Sequence, residues 1–194
     1  MKPTPSPDLR TRIIDAASAL FAEHGYQSVS MRRIADLAGC SQMAMYRHFK
    51  DKDDLIRYLC AEAYERFASR VNRTIAGLTH PRERILQLVR STISFAVKYP
   101  EHYRISMMMP LPHPHAQTLR EPLAQALLQR LQDDIRSQLP PHTPNDLVSQ
   151  RLRQVLACIH GMNMMLLAYP RTYGLTPKIA ITEAQAAVLK LLGE

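Results

Sequence analysis

The chain has 194 residues, 46% of them hydrophobic and 22% charged, a composition that fits a folded globular protein and excludes a disordered or collagen-like one. The formal net charge of +8 favours an anionic partner such as nucleic acid. Three cysteines, far apart and without zinc-ligand spacing, favour reduced thiols. The N-terminus has no signal-peptide core and no apolar run is long enough to span a bilayer, so we expect a cytoplasmic protein without a membrane anchor.

The first predicted element is an amphipathic helix that ends at Gly25. Ser6 is expected to be its N-cap, because serine is favoured there and Pro7 suits the first helical position. The apolar residues recur at three- and four-residue intervals and form one stripe: Leu9, Ile13, Ala16, Ala17, Leu20 and Phe21. This helix is expected to pack across the next two helices.

Two short helices joined by a tight turn are predicted between Ser30 and Lys52. Ser30 is expected to cap the first helix, and Ser41 the second, which runs from Gln42 to Phe49. Gly39 lies at the turn, where glycine adopts a left-handed conformation without a Cβ penalty. The buried face of the first helix is predicted to carry Ile34, Leu37 and Ala38.

The second of these helices has a composition suited to the major groove of DNA. At about 100° per residue, Met45 and Phe49 fall together and are expected to pack inward. Met43, Ala44, Arg47 and His48 project the other way, and Gln42 and Tyr46 lie along one flank. Glutamine can bond adenine, arginine can bond guanine, and apolar groups can touch the thymine methyl group. An ordinary surface helix pair is the alternative for this stretch alone.

The same stretch resembles the TetR family of bacterial transcriptional regulators. The resemblance rests on Ser30, Ile34, Ala35, Ala38, Gly39, Cys40, Ser41, Tyr46, His48, Phe49, Lys52 and Leu55, and covers about residues 8 to 56. It implies base contacts at Arg32, Gln42, Met43, Ala44 and Arg47. It implies phosphate contacts at Ser30, Ser41, Tyr46, His48 and Lys52. Met43 replaces a common glycine or proline of the family, which leaves the operator sequence open, and Met45 replaces a common leucine.

Helices are predicted throughout the rest of the chain. One capped by Asp51 runs to about Ala76, and the others cover about 81–98, 100–109, 116–139, 145–169 and 177–192. Thr143 and Thr176 are expected to cap the last two, each followed by proline. The predicted fold class is all-α, with about nine helices. A helix-turn-helix DNA-binding domain is expected over residues 1–50, and a helical ligand-binding and dimerisation domain over 51–194.

The helix near 145–169 is apolar almost all round in its second half, VLACIHGMNMMLLAY. A helix without a polar face is expected to be buried on two sides, one in the core and the other against a partner subunit. The family resemblance implies that helices at 145–169 and 177–192 form the interface of a homodimer.

Six methionines lie in two segments, at 107–109 and 162–165, and suggest a pliable apolar ligand cavity. Simple filling of the core is an equal alternative. The candidate ligand contacts are Phe95, Tyr103, Met107, Met108, His160, Asn163 and Met164. The segments 100–104 and 160–161 also resemble a recurrent C-terminal domain of the family, of the WHG type. No cofactor or metal is expected, since His113 and His115 lie among prolines without supporting carboxylates.

The leading hypothesis is a TetR-like repressor that binds a palindromic operator as a homodimer and is released by a small apolar effector. An enzyme is disfavoured, because the six glycines are scattered and form neither a phosphate-binding loop nor a nucleophile elbow. A helical interaction protein or a redox-sensing regulator with altered DNA binding is the alternative.

Overall fold

The computed structural model of the protein describes residues 8–104, 107 and 121–193. All regular elements in these ranges are helical, which confirms the predicted all-α class. They are α1 (Leu9–His24), α2 (Met31–Ala38), α3 (Gln42–Tyr46), α4 (Lys52–Ile75), α5 (Pro81–Lys98), α6 (Pro100–Tyr103), α7 (Glu121–Gln138), α8 (Asn145–Ala168) and α9 (Pro177–Leu192). The chain divides into two compact units, Met1–Tyr64 with Glu101–Arg120 and Glu65–Pro100 with Glu121–Glu194.

The first unit is built on α1, α2 and α3, with the start of α4. Helix α1 packs on α2, and α2 packs on α3. Met45 and Phe49 are buried as predicted, and fully buried Ala35 provides a small side chain on α2. The core of this unit consists of Ile13, Ala16, Ala17, Leu20, Phe21, Tyr26, Val29, Ile34, Ala35, Ala38, Met45, Phe49, Leu55, Ile56, Leu59 and Cys60.

The N-cap of α1 differs from the predicted one. Asp8, not Ser6, occupies the cap position in extended conformation, and its carboxylate accepts a hydrogen bond of 2.7 Å from the backbone N–H of Thr11. Aspartate caps helices as well as serine does, and two candidate caps lay within three residues of each other. Ser6 and Pro7 lie outside the described residues.

The second unit packs α5 against α7, α8 and α9. Buried apolar side chains from each helix form its core, including Phe67, Val71, Ile85, Val89, Ile93, Phe95, Leu131, Ile135, Val148, Val155, Ile159, Ala184 and Val188. Helix α9 begins as predicted, because the Thr176 hydroxyl accepts from the N–H of Ile179 at 3.2 Å. The predicted Thr143 cap of α8 is wrong. Pro144 occupies that position, and the Thr143 hydroxyl instead donates to the Pro140 carbonyl at 2.6 Å.

Several predictions for the middle of the chain fall outside the described residues. They include the start of the helix predicted over 116–139, and the histidines at 113 and 115. Within the described ranges, no group of three or more His, Cys, Asp or Glu side chains could hold a metal ion. The same ranges contain no helix whose length and apolar content would let it cross a membrane.

Candidate nucleic-acid interface

The turn between α2 and α3 has the geometry of a helix-turn-helix. Gly39 ends α2 in the left-handed region, at φ 66° and ψ 44°. Its N–H and the N–H of Cys40 donate back to α2, to Asp36 at 3.2 Å and Ala35 at 3.0 Å. These bonds satisfy carbonyls at the end of α2 and reverse the chain tightly, as the glycine predicted.

Both helices of the motif begin with a serine cap, as predicted. The Ser30 hydroxyl accepts from the Arg33 N–H at 3.2 Å, and the Ser41 hydroxyl accepts from the Ala44 N–H at 3.1 Å. Both serines are exposed. Each cap satisfies one backbone donor of the first turn and leaves the other N–H groups of that turn for solvent or an anion.

Helix α3 is anchored by one side and presents the other to solvent. Met45 is fully buried, whereas Met43 is 74% exposed and Tyr46 is 51% exposed. The remaining predicted contacts are Gln42, Arg47 and His48, which are exposed, and Ala44, which is half-buried. The regular helix ends at Tyr46, earlier than the predicted Phe49, and the N–H groups of His48 and Phe49 close a last turn on the Met45 carbonyl.

Lys52 has partners that the sequence pattern did not predict. Its ammonium donates to the backbone carbonyls of Tyr26 at 2.9 Å and Val29 at 3.0 Å. It also lies 4.3 Å from the centre of the Tyr26 ring. The Tyr26 hydroxyl in turn donates to the carboxylate of Asp53. Lys52 therefore attaches the α1–α2 loop to the start of α4.

Other cations of the first unit also have internal partners. The Arg10 guanidinium stacks on Tyr58 at 4.1 Å and on Phe49 at 5.3 Å, measured to the ring centres. The Arg33 Nη2 lies 2.6 Å from Nε2 of His24. Arg32, which points from the first turn of α2, is exposed together with Arg47.

Leu37 does not lie on the buried face of α2. Ile34 is fully buried and Ala38 is 5% exposed, but Leu37 is 57% exposed. Leu37 and Ala38 follow Ile34 by three and four residues, the spacing of an apolar helix face. Leu37 is nevertheless turned about 100° away from Ala38 around the helix. The prediction that Leu37 packs inward is therefore wrong, and an apolar side chain remains on the outer surface of the motif.

Two side chains of the first unit have perturbed acidity. The hydrogen bond from the Thr11 backbone N–H lowers the pKa of Asp8 below its ordinary value, with a smaller contribution from the nearby charge of Arg10. Burial raises the pKa of Tyr26, and its hydrogen bond to Asp53 raises it further. The lowered pKa of Asp8 reflects the cap of α1, and the raised pKa of Tyr26 keeps its hydroxyl protonated as a donor to Asp53.

The predicted ligand contacts lie in different environments. In the second unit, Phe95 is buried and stacks with Phe67 and Tyr99, at 5.3 and 5.4 Å between ring centres. His160 is half-buried. Asn163 is completely buried, and neither polar atom of its carboxamide has a hydrogen-bond partner in the described structure. Of the candidates in the first unit, Tyr103 is buried, Met107 is half-buried and Met108 lies outside the described residues.

Met164 is turned about 100° around α8 from buried Asn163 and faces solvent. It is 42% exposed and belongs to an exposed row with Ala157, Gly161 and Ala168, spaced three or four residues apart. Helix α8 is thus buried along one face and presents small and apolar residues along the other.

The three cysteines are free thiols. Cys60 is buried in the first core, and burial raises the pKa of the Cys158 thiol. A raised pKa disfavours the reactive thiolate at neutral pH. This environment gives no support to a redox-sensing role for Cys158.

Residues 13–59 match the family of bacterial regulatory proteins known as the tetR family. Over 80 residues the chain is 38% identical to the HTH-type transcriptional regulator HbdR of Aromatoleum sp. strain CIB, covering 41% of this chain and 35% of HbdR. Over 110 residues it is 33% identical to the HTH-type transcriptional repressor AcnR of Corynebacterium diphtheriae, covering 50% of this chain and 58% of AcnR.

The structural similarity extends over nearly the whole chain. A TetR-family transcriptional regulator from Bordetella parapertussis superimposes with a TM-score of 0.75 and 20% sequence identity, covering 96% of this chain and 95% of that protein. At this identity the match establishes the fold, whereas the sequence matches span only 35% of HbdR and 58% of AcnR. The helix-turn-helix region thus matches the tetR family of bacterial regulatory proteins, and the whole chain has the fold of a TetR-family regulator.

Proposed function

We propose that the protein is a transcriptional regulator that binds a palindromic DNA operator as a homodimer. The observation that carries the proposal is the arrangement of α3, which buries Met45 and turns Gln42, Met43 and Arg47 toward solvent. A short helix held rigidly by one face can enter the major groove with the other. The names of two relatives, a transcriptional regulator and a transcriptional repressor, support this class of activity.

The proposed contacts divide by chemistry. The amide of Gln42, the guanidinium groups of Arg32 and Arg47, and the apolar surfaces of Met43 and Ala44 are assigned to base edges. Ser30, Ser41, Tyr46 and His48 are assigned to phosphates, because each is an exposed donor. The two serines lie at helix N-termini, Tyr46 lies on α3, and His48 lies in the turn that follows α3.

Selection of bound fragments from random duplex DNA would test DNA binding directly. We expect a palindromic consensus whose half-sites are about one helical turn apart, roughly 34–36 Å. Replacing Arg47 with alanine should cost about 1–3 kcal/mol and relax the preference at one base pair. Arg33→Ala is the matched control, because its guanidinium contacts His24 instead of pointing from α3. Failure to enrich any sequence would contradict the proposal.

The homodimer is proposed to form through the outer faces of α8 and α9. On α8 this face consists of Ala157, Gly161, Met164 and Ala168, and α9 adds Ile179, which is 40% exposed. Small residues allow close approach of two helices, and burial of the larger apolar side chains would stabilise the pair.

Met164→Arg tests this interface. Met164 is 42% exposed, so the arginine can be accommodated in an isolated chain, but a buried dimer interface would leave its charge without a partner. Val97→Arg on α5 is the matched control, because Val97 is 39% exposed and lies outside the proposed interface. Sedimentation should give a monomer for the Met164 variant alone. Equal oligomeric states in both variants would contradict the assignment.

We also propose that a small, largely apolar effector releases the protein from DNA. Buried Asn163, whose carboxamide has no partner in the described residues, is the side chain best placed to recognise a polar group on such a molecule. A coupling of about 1–3 kcal/mol between ligand and DNA would change affinity about 5–150-fold.

The test of effector release is a screen of apolar carboxylic acids and amides for loss of DNA binding. Asn163→Leu should abolish the response to an active compound while leaving duplex affinity unchanged, because Asn163 lies outside the DNA-binding unit. An active compound that releases both proteins equally would remove Asn163 from the effector site. We accordingly propose that the protein acts in the cytoplasm, where its operator DNA would lie.

A further inference from the structure

Among the predicted phosphate contacts, Lys52 is the residue whose charged group already donates hydrogen bonds within the first unit. Its ammonium has three N–H donors, and two of them are directed to the carbonyls of Tyr26 and Val29, at 2.9 and 3.0 Å. The side chain is half-buried, and the Tyr26 ring covers the ammonium at 4.3 Å. A cation placed in this way has already exchanged most of its hydration for protein contacts.

The two carbonyls that Lys52 holds belong to the loop immediately before α2. Val29 precedes Ser30, the residue whose hydroxyl caps α2 through the Arg33 N–H. Tyr26, at the other end of the loop, is only 7% exposed and donates its hydroxyl to Asp53, the residue after Lys52. The loop is thus bound to α4 at both of its ends by consecutive residues.

The start of α4 is itself fixed by local hydrogen bonds. The Asp51 carboxylate accepts from the Asp54 N–H at 2.7 Å, and the Asp54 carboxylate accepts from the Lys50 N–H at 3.1 Å. The position of Lys52 is therefore set by a capped helix end and does not depend on a long free side chain finding a phosphate.

We infer that Lys52 is a positioning residue for DNA binding: it holds the first turn of α2, with Ser30 and Arg32, in place through the carbonyls of Tyr26 and Val29, and it does not form an ion pair with a phosphate. The inference rests on the proposed DNA-binding function. It goes beyond that function by assigning to Lys52, Tyr26 and Asp53 a common role that the family pattern does not predict.

The two roles of Lys52 predict different salt dependence. The logarithm of the DNA association constant falls linearly with the logarithm of the salt concentration. Loss of one phosphate ion pair reduces the steepness of this slope by about 0.9, because one counterion fewer is released on binding. Loss of a positioning residue weakens binding without changing the number of neutralised phosphates, since Ser30 is uncharged and Arg32 is assigned to a base. The slope therefore separates direct contact from positioning.

The experiment measures duplex affinity and its salt slope for the full chain and for Lys52→Met, at a temperature where circular dichroism shows both to be fully folded. We expect Lys52→Met to bind about tenfold more weakly, to keep the wild-type slope, and to melt at a lower temperature, because two carbonyls lose a charged donor. Lys50→Met is the matched control. Lys50 is exposed, so this substitution removes the same charge two residues away and should leave the melting temperature unchanged.

Tyr26→Phe provides a second variant that keeps the charge. Tyr26 is too buried to reach a phosphate, so weaker binding of this variant at an unchanged slope would reveal the effect of the loop on DNA affinity. Lys52→Met combined with Tyr26→Phe should weaken binding by less than the product of the two separate effects, because both variants release the same loop.

Two results would overturn the inference and leave the proposed function intact. One is a slope lower by about 0.9 in Lys52→Met with an unchanged melting temperature, which indicates a direct phosphate contact. The other is full wild-type affinity in both folded variants, which indicates a contribution to stability alone. Failure of the wild-type protein to bind any duplex would overturn the proposed DNA binding, and this inference with it.

Discussion

Replacing Asp134 with alanine should destabilise the second unit by about 3 kcal/mol, because it leaves a partly buried guanidinium without its counterion. Asp134 on α7 is 5% exposed, and both of its carboxylate oxygens accept from Nε of Arg84 on α5 at 3.0 Å. Nη2 of Arg84 also donates to the same carboxylate. The other nitrogen of the guanidinium, Nη1, donates to the carbonyls of Leu78 and Thr79, at 3.2 and 2.8 Å.

The magnitude follows from this geometry. Removing one partner of a fully buried ion pair costs about 3–5 kcal/mol, and the 23% exposure of the Arg84 side chain places the cost at the lower end of that range. Arg84 joins α5, α7 and the turn after α4, so an unpaired guanidinium would disturb three segments. The double variant Arg84→Met with Asp134→Leu should lose about 1 kcal/mol or less, because it leaves no uncompensated charge.

Urea unfolding followed by far-ultraviolet circular dichroism measures the effect. A loss of about 3 kcal/mol should lower the midpoint by roughly 1–2 M if the slope of the free energy of unfolding is unchanged. Asp133→Ala is the matched control, because Asp133 is exposed and its carboxylate accepts from the neutral side chain of Gln129, at 3.0 Å. Equal midpoints for the Asp133 and Asp134 variants would refute the assigned role of the ion pair.

Three further outcomes are expected in the first unit. Ser41→Ala should lower the free energy of unfolding by about 1 kcal/mol and weaken DNA binding, because the Ala44 N–H loses its cap; unchanged melting would contradict this. Gly39→Ala should lower the free energy of unfolding by about 1–2 kcal/mol through backbone strain at φ 66°. No steric clash adds to this cost, since the nearest atom to an added Cβ lies 3.6 Å away, and thermal melting measures the loss. Because the pKa of Tyr26 is raised above the ordinary tyrosine value of 10.0, its contribution to stability is present below pH 10 and is lost as the pH rises above it. Tyr26→Phe should therefore flatten the alkaline part of the curve of unfolding free energy against pH.

Local patterns predicted the helices and most of their ends, because caps and glycine turns depend on residues within a few positions of each other. Ser30, Ser41 and Thr176 each accept a hydrogen bond from a backbone N–H three residues on, as their spacing predicts. Thr143 does not follow the same rule, because Pro144 occupies the cap position and the Thr143 hydroxyl donates to the carbonyl of Pro140. Both arrangements are local, and the sequence does not distinguish their energies.

Long-range partners could not be predicted in the same way. The pairing of Arg84 with Asp134 spans 50 residues, and the contact of Lys52 with Tyr26 spans 26. Nothing in the sequence near either residue indicates its partner. Leu37 illustrates a related limit, since its spacing from Ile34 fits an apolar face but its angle around α2 places it toward solvent. The roles of individual exposed side chains on DNA stay predictions.

The internal contacts of the cations in the first unit reduce the number of positive charges that can pair with DNA phosphates. Residues 1–52 contain eight lysines and arginines, which suggests a strongly salt-dependent interaction with DNA. Three of these cations have protein partners: Arg10 stacks on two aromatic rings, Arg33 meets His24, and Lys52 binds two carbonyls. Of the other five, Arg32 and Arg47 are assigned to base edges, which leaves Lys2, Arg12 and Lys50 for phosphates. These residues should therefore contribute a salt slope per subunit of no more than about 3, at roughly 0.9 for each neutralised phosphate. A larger slope would mean that at least one of these three internal contacts opens when DNA binds.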